Sequence, residues 1–234
     1  MDKKTFIDSL KSLGIIVTDE QMKKLDWFYK LLIEWNEKIN LTTIIDEEEV
    51  YLKHFYDSLT LIKVVDLTDD VSLCDVGSGA GFPGVVLKIC FPNLKVTLID
   101  SLNKRVIYLN DIINKLGLDN IEAIHTRIEE YSRSNTERFD IITARAVTSI
   151  PILSEICSKA LKLEGQLILM KGNCEEELIG SKNCFLKLNL ELNNFIEFKL
   201  PIEGSNRTLV VIKKKGITNK LYPRHMDKIK KNPL

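Results

Sequence analysis

The stretch Asp75-Val76-Gly77-Ser78-Gly79-Ala80-Gly81-Phe82-Pro83-Gly84 constrains this chain more than any other. Four glycines and one leading acid follow a short apolar run, Val71-Ser72-Leu73-Cys74. Glycine has no Cβ, so it takes positive φ freely and lets the backbone come close to a ligand. Pro83 suits the first turn of a helix, where its missing N–H goes unused. The pattern predicts a buried strand, a tight loop and a helix. The loop then lies at the carboxyl edge of a sheet, where open α/β folds bind ligands.

The rest of the chain is consistent with such a sheet. Thr18-Asp19-Glu20-Gln21 forms a capping box, and Met22, Leu25, Phe28, Leu32, Trp35 and Ile39 follow at helical spacing. A second helix opens in the acidic run from Asp46 to Glu49, favourable at a positive helix end, and continues through Tyr51, Phe55, Leu59 and Ile62. Residues 1–66 read as an N-terminal helical extension. Residues 67–234 read as the main domain with a basic C-terminal tail, the two forming a single structural unit. Strands are expected at 71–75, 95–100, 121–125, 139–144 and 166–170, with 193–199 and 207–213 as a closing antiparallel pair. Between them, Asn103 is placed to cap a helix that Gly117 ends. Right-handed crossovers set the first three strands side by side and return the chain to the far side of the first, making a switch point beside the glycine loop. The fold class is α/β, Rossmann-like, with a mostly parallel sheet.

At 234 residues, 44% hydrophobic and 28% charged, the chain is built to bury a full core rather than stay disordered. The start, Met1-Asp2-Lys3-Lys4-Thr5, leads into no signal-peptide core, and no run approaches the roughly 18 apolar residues of a membrane span. A cytoplasmic protein with no membrane partner is expected. Five cysteines form no CxxC pair, and three histidines show no zinc spacing, so reduced packing thiols and no metal are expected. A net charge of zero conceals an asymmetry: residues 213–234 hold eight basic side chains against Asp227 alone. Such a tail suits a polyanionic partner, or is simply a solvated, mobile end.

Two cofactor fingerprints compete for the loop. Gly79-Ala80-Gly81-Phe82-Pro83-Gly84 satisfies GxGxxG, with Asp100 19 residues beyond Gly81, as in dinucleotide enzymes. The alternative is an acid followed by alternating glycines, Asp75-x-Gly77-x-Gly79-x-Gly81, similar to the first motif of S-adenosylmethionine-dependent methyltransferases. A carboxylate at the loop entrance suits an ammonium and a sulfonium and repels a pyrophosphate, which favours the methyl donor. In that reading Phe82 flanks the cofactor and Asp100 accepts both ribose hydroxyls. Each residue also has a plain structural role open to it: a tight turn for the glycines, a helix cap for Asp100, the core for Phe82.

The chain resembles the bacterial small-subunit ribosomal RNA guanine-N7 methyltransferase G family, also called glucose-inhibited division protein B. The matches run nearly end to end: Asn40-Leu41-Thr42, His54-Phe55-Tyr56-Asp57-Ser58-Leu59, the Asp75 to Gly84 loop, Asp100-Ser101 and Lys104-Arg105. Arg127-Ile128-Glu129, Phe139-Asp140, Arg145-Ala146-Val147, Lys171-Gly172, Arg207, Tyr222-Pro223-Arg224 and Pro233-Leu234 continue the series. The resemblance implies a class I methyltransferase that uses S-adenosyl-L-methionine to methylate N7 of a guanine in 16S rRNA near the decoding site. By position it places Gly77, Phe82, Ile128, Glu129 and Arg145 at the cofactor, beside Gly79 and Asp100, with Ile128 acting through its backbone amide.

Guanine N7 is a neutral nucleophile with no proton to lose, so no catalytic side chain is assigned. The chain lacks the Asn/Asp-Pro-Pro-aromatic motif of exocyclic amine methylation and any Pro-Cys pair, which disfavours amine and cytosine-C5 chemistry. RNA contact is expected from Lys104, Arg105, Lys171, Arg207, Arg224 and the tail, by phosphate neutralisation. Arg145 has an alternative in pairing with Glu129; His54 and Asp57, one turn apart, are placed to brace helix against sheet, and His125 is read as structural. Other readings are a methyltransferase for another RNA or a small molecule, an NAD-dependent oxidoreductase, and a non-catalytic rRNA-binding assembly factor. The partner expected is 16S rRNA or the small ribosomal subunit, and a monomer is the default.

Overall fold

The computed structural model describes residues 1–234. Helices α1 (Lys3–Ser12) and α2 (Asp19–Ile39) open the chain. The capping box at Thr18 and Gln21 is formed, and Asn40 ends α2 in the left-handed region at φ 49°. The acidic run then starts α3 (Glu47–Val50), capped by Asp46, which passes through a π-helical stretch (Tyr51–Tyr56) into α4 (Asp57–Leu59) and a 3-10 turn (Thr60–Lys63).

From β1 (Ser72–Val76) the chain alternates through α5 (Gly84–Cys90), β2 (Lys95–Asp100), α6 (Asn103–Leu116), β3 (Ile121–His125), α7 (Ile128–Ser134), β4 (Phe139–Arg145), α8 (Ile150–Cys157) and β5 (Leu161–Lys171). It continues through α9 (Glu175–Gly180), α10 (Lys182–Leu188), β6 (Leu190–Lys199), β7 (Asn206–Lys214) and α11 (Met226–Lys231). The seven strands lie in the order β3-β2-β1-β4-β5-β7-β6. All pairs from β3 to β5 are parallel, and β7 is antiparallel to both β5 and β6. The order reverses between β1 and β4, which puts the switch point at the end of β1. No helix is long and apolar enough to cross a membrane.

Two buried clusters flank the sheet. One face carries Leu73, Leu98, Ile141, Ile168, Met170, Leu209 and Val211 against α5, α6 and the N-terminal helices. The crossover helices α5 and α6 cover only the β1–β3 half of this face. Residues such as Phe28, Leu32, Tyr51 and Phe55 come from the N-terminal segment into the same cluster, each burial contributing roughly 1.5–3 kcal/mol. The other face carries Cys74, Val76, Ile142, Ala144, Leu167 and Val210 against α7, α8, α10 and Ile229 of α11. All five cysteines are free and buried in these layers.

Three expectations need correction. β5 begins at Leu161, five residues early, because Leu161 still pairs with Phe139 across a register shift; Glu164 at φ 63° and Gly165 pass the irregular step. Asn103 does not cap α6: Leu102 holds the cap position, and its N–H donates to Asp100 Oδ1 at 2.8 Å. Gly117 does end the helix, at φ 57°. The basic tail does not project from the body: Lys213 and Lys214 belong to β7, and Arg224 pairs with Glu155 of α8.

Candidate functional site

The glycine loop is built by the end of β1. Gly77 N and Ser78 N both donate to Ile99 O, at 2.8 and 3.2 Å, so the loop leaves the sheet hugging β2. Gly79 N donates to Asp100 Oδ2 at 2.9 Å, and Gly84 N donates to Asp75 Oδ2 at the same distance. Gly77 stands at φ 71°, and a Cβ there would come within 2.7 Å of Val147 Cγ2, so neither the backbone nor the space admits a side chain. Pro83 stands one residue ahead of α5 rather than within it.

Beside this loop a crevice of about 250 Å³ opens at the carboxyl edge of the strands. Val76, Gly77, Ile99, Ser101, Ile128 and Glu129 form its inner side; Ile152 and Ile156 of α8 add an apolar wall, and Met226 and Lys230 of α11 close the outside. Glu129 is buried and lies 3.8 Å from the exposed Arg127 guanidinium. A larger hollow of about 600 Å³ lies at the opposite, amino-terminal edge of the strands. Lys162 pairs there with Asp140 at 2.8 Å and Lys95 with Asp70 at 2.9 Å, and the glycine loop does not reach it. The crevice is therefore the candidate site.

The structure brings Gly77, Ile128 and Glu129 together in the crevice, with Gly79 and Asp100 joined to it through Ile99 and Ser101. Asp100 is almost fully buried and braces the loop: Oδ2 accepts from Gly79 N and from Arg105 Nη1, while Oδ1 accepts from Leu102 N alone and keeps a lone pair for a further donor. Asp75 does not rim the crevice. It is wholly buried beneath the loop, its Oδ1 has no partner, and burial pushes its carboxyl up to about 7.

Phe82 and Arg145 belong to the other face of the sheet. The Phe82 ring is buried, stacks on His54 at 4.4 Å between centroids, and packs against Phe28 and Phe55. Arg145 lies over Phe82, 5.3 Å from the ring centroid, and pairs with Asp57 at 3.2 Å rather than with Glu129. His54 and Asp57 thus brace the N-terminal helices against β4. His125 lies 3.1 Å from Ser101 O, a structural contact.

The expected RNA-binding cations do not form one surface. Lys104 is exposed and makes no ion pair. Arg105 leans on Asp100 at 3.5 Å, Lys171 on Glu177 at 3.0 Å, Arg207 on Asp57 at 3.0 Å and Arg224 on buried Glu155 at 2.6 Å. These four charges are committed within the protein. In the tail, Lys213 and Lys215 share Glu164 and Lys214 is buried, which leaves Lys220, Lys228, Lys230 and Lys231 exposed. Met226 and Lys230 escape sequence reasoning as crevice residues, because more than 75 positions separate them from the strands they cover; the Tyr222-Pro223-Arg224 match is the one hint.

A family model described as rRNA small subunit methyltransferase G matches residues 21–209. A ribosomal RNA small subunit methyltransferase G of Bacillus subtilis is 44% identical, covering 100% of this chain and 99% of that one. Its counterpart in Oceanobacillus iheyensis is 43% identical with 100% of both chains covered. Among solved structures, a SAM dependent methyltransferase from Aquifex aeolicus superposes with a TM-score of 0.53 at 21% identity, over 72% of this chain and 94% of that one. At that identity the likeness shows the fold: the class I methyltransferase sheet with its closing antiparallel pair.

Proposed function

The chain belongs to the rRNA small subunit methyltransferase G family, and on that premise we propose that it transfers a methyl group from S-adenosyl-L-methionine to N7 of a guanine in 16S rRNA, near the decoding site of the small ribosomal subunit. The observation that carries this reading is the crevice that sets Gly77, Ile128 and Glu129 side by side at the switch point. The residues fit the cofactor: Gly77 offers backbone where a Cβ would collide, and the apolar slot ends in a buried carboxylate.

S-adenosylmethionine, when bound, supplies an electrophilic methyl group on a sulfonium. Ile128, Ile152 and Ile156 would exclude water from its nucleoside, while Glu129 and the remaining lone pair of Asp100 Oδ1 would accept from its amino and hydroxyl groups. Gly77 and Gly79 let the amino-acid end approach the backbone. The crevice volume of about 250 Å³ suits the nucleoside and leaves that other end at the loop. Guanine N7 offers a lone pair and no proton, so no side chain has to act as a base. The task of these residues is alignment, which reaches about 7–11 kcal/mol in favourable systems.

RNA is held by the exposed cations on both sides of the crevice, Lys104 at the start of α6 and Lys228, Lys230 and Lys231 on α11. A splayed or single-stranded guanine is the accessible form, since N7 within an RNA helix lies in a groove closed to side chains. The protein acts as a monomer in the cytoplasm on rRNA or the small subunit. Mass mapping of 16S rRNA from a strain lacking the gene is expected to lose one N7-methylguanine, regained when purified protein and S-adenosylmethionine are added. An unchanged map overturns the assignment. In a thermal-shift assay S-adenosylhomocysteine is expected to raise Tm and NAD to leave it unmoved.

A further inference from the structure

The last thirteen residues close the crevice from outside. Arg224 is their fixed point: its backbone N and its Nε both donate to Glu155 Oε1, at 2.9 and 2.8 Å, and Nη2 donates to Oε2 at 2.6 Å. Glu155 is completely buried on α8, the helix whose Ile152 and Ile156 line the crevice. Nη2 of the same guanidinium also donates to Asn232 O at 3.0 Å, so one side chain grips the segment both before and after α11. Between the two grips Ile229 is buried in the core, and Met226 and Lys230 face the crevice.

We propose that residues 222–234 form a strap that is the outer wall of the S-adenosylmethionine site, with Arg224 as the positioning residue that latches it. The inference rests on the cofactor reading of the crevice given above. A helix of six residues does not hold its own conformation in water, so α11 persists through the Arg224 latch and the packing of Ile229, Met226, Tyr222 and Leu234 on the core. Docked and undocked strap are then two states of one site. A ligand that touches Met226 and Lys230 contacts only the docked state, and must favour it by the same factor by which docking favours the ligand. Because Lys228 and Lys231 ride on this segment, a docked strap also fixes where those two cations stand, so cofactor and RNA favour one another's binding. Arg224 therefore serves RNA through the strap, and its own charge stays on Glu155.

The test uses the full-length protein and S-adenosylhomocysteine as probe, with calorimetric titration and amide hydrogen exchange on the same samples. In the wild type, saturation is expected to slow exchange of the amides of 226–232. Arg224→Ala is expected to raise Kd about tenfold, within the usual range of coupling between sites. Arg224→Lys, which cannot fork onto both carboxylate oxygens, is expected to fall between. KM for S-adenosylmethionine is expected to rise in parallel while kcat stays within about twofold, a split that general loss of folded protein does not produce. If Arg224→Ala leaves Glu155 buried and unpaired and fails to fold, the double variant Glu155→Gln with Arg224→Gln removes both charges and carries the same expectation. Unchanged exchange at 226–232, a wild-type Kd in the variants, or tighter binding by them overturns the strap while leaving the cofactor assignment in place. Absence of binding to the wild type overturns both.

Discussion

Arg145 donates to the Asp57 carboxylate at 3.2 Å, joining the end of β4 to the N-terminal helical layer. The same carboxylate takes Arg207 Nε at 3.0 Å from β7, so one buried acid serves two strands. Arg145 Nη2 also lies 3.1 Å from His54 Nδ1, which lies 3.2 Å from Lys53 O, and His54 Nε2 lies 3.0 Å from Thr42 Oγ1. The second guanidinium arm, Nη1, satisfies Lys53 O at 3.0 Å. Phe82 lies beneath both, so the helix of the glycine loop and the N-terminal layer share this cluster.

Asp57→Ala leaves two guanidiniums facing each other without their acid. Breaking a buried pair costs about 3–5 kcal/mol, and the lower end is expected because Arg207 keeps partial contact with water. The urea midpoint is expected to fall accordingly, with Asp57→Asn losing less because its amide oxygen still accepts one arginine. A loss below about 1 kcal/mol for Asp57→Ala would show the cluster to be decoration.

Asp75 and His54 set opposing pH slopes. Burial raises Asp75 from its ordinary 3.8 to about 7, so the folded state holds a proton that the unfolded state releases, and this contribution to stability is lost as pH rises from about 4 to 7. Burial and the Arg145 charge lower His54 from 6.5 to about 3, so its contribution is complete above 6.5 and lost as pH falls toward 3. The two windows overlap and the slopes largely cancel. Asp75→Asn keeps an acceptor for Gly84 N and uncovers the His54 slope: its stability relative to wild type is expected to rise between pH 4.5 and 6.5, by at most about 1.4 kcal/mol per pH unit. His54→Gln is expected to show the reverse trend. Parallel profiles for both variants and the wild type would refute the two assignments.

The sheet was legible in the sequence because its strands are short apolar runs divided by glycine and asparagine, and because the Asp75 to Gly84 loop fixes where the chain turns. The crevice was legible only on its inner side, where Gly77 follows β1 and the family resemblance points to Ile128 and Glu129 at the start of α7. Its outer side comes from Met226 and Lys230, which no local pattern links to β1. Charge misled most. Arg224 is a basic residue in a basic tail and Arg207 lies just before it, and only the fold reveals Glu155 and Asp57 beneath them. Asp75 misled in a related way: spacing gives its place in the loop but not its depth.

Two glycines separate space from conformation. Gly84 has an ordinary φ, yet a Cβ there would lie 2.8 Å from Asp75 Oδ2 and against Leu98, both in the packed centre of the fold. Gly84→Ala is expected to destabilise by about 1–3 kcal/mol through overpacking, read from urea unfolding. Gly172→Ala meets nothing within 4 Å and is expected to leave the midpoint unmoved or slightly higher, since alanine restricts the unfolded chain. Equal effects at the two positions would contradict the packing account.

Salt dependence separates cations that meet RNA from those that hold the protein. Each phosphate neutralised on single-stranded RNA contributes about 0.7 to the slope of log K against log salt. Lys104 is exposed and free of acids beside the crevice, so Lys104→Ala is expected to weaken rRNA binding at low salt and flatten that slope by about 0.7. Lys171 donates to Thr148 O at 2.9 Å and to Glu177 at 3.0 Å, and Glu177 in turn accepts from Ile150 N at the start of α8. Lys171→Ala therefore acts on the wall that carries Ile152 and Ile156: the urea midpoint and cofactor affinity are expected to fall while the salt slope stays at the wild-type value. Should Lys171→Ala flatten the slope as Lys104→Ala does, its charge reaches the RNA, and the division between internal and RNA-facing cations drawn from these ion pairs is wrong.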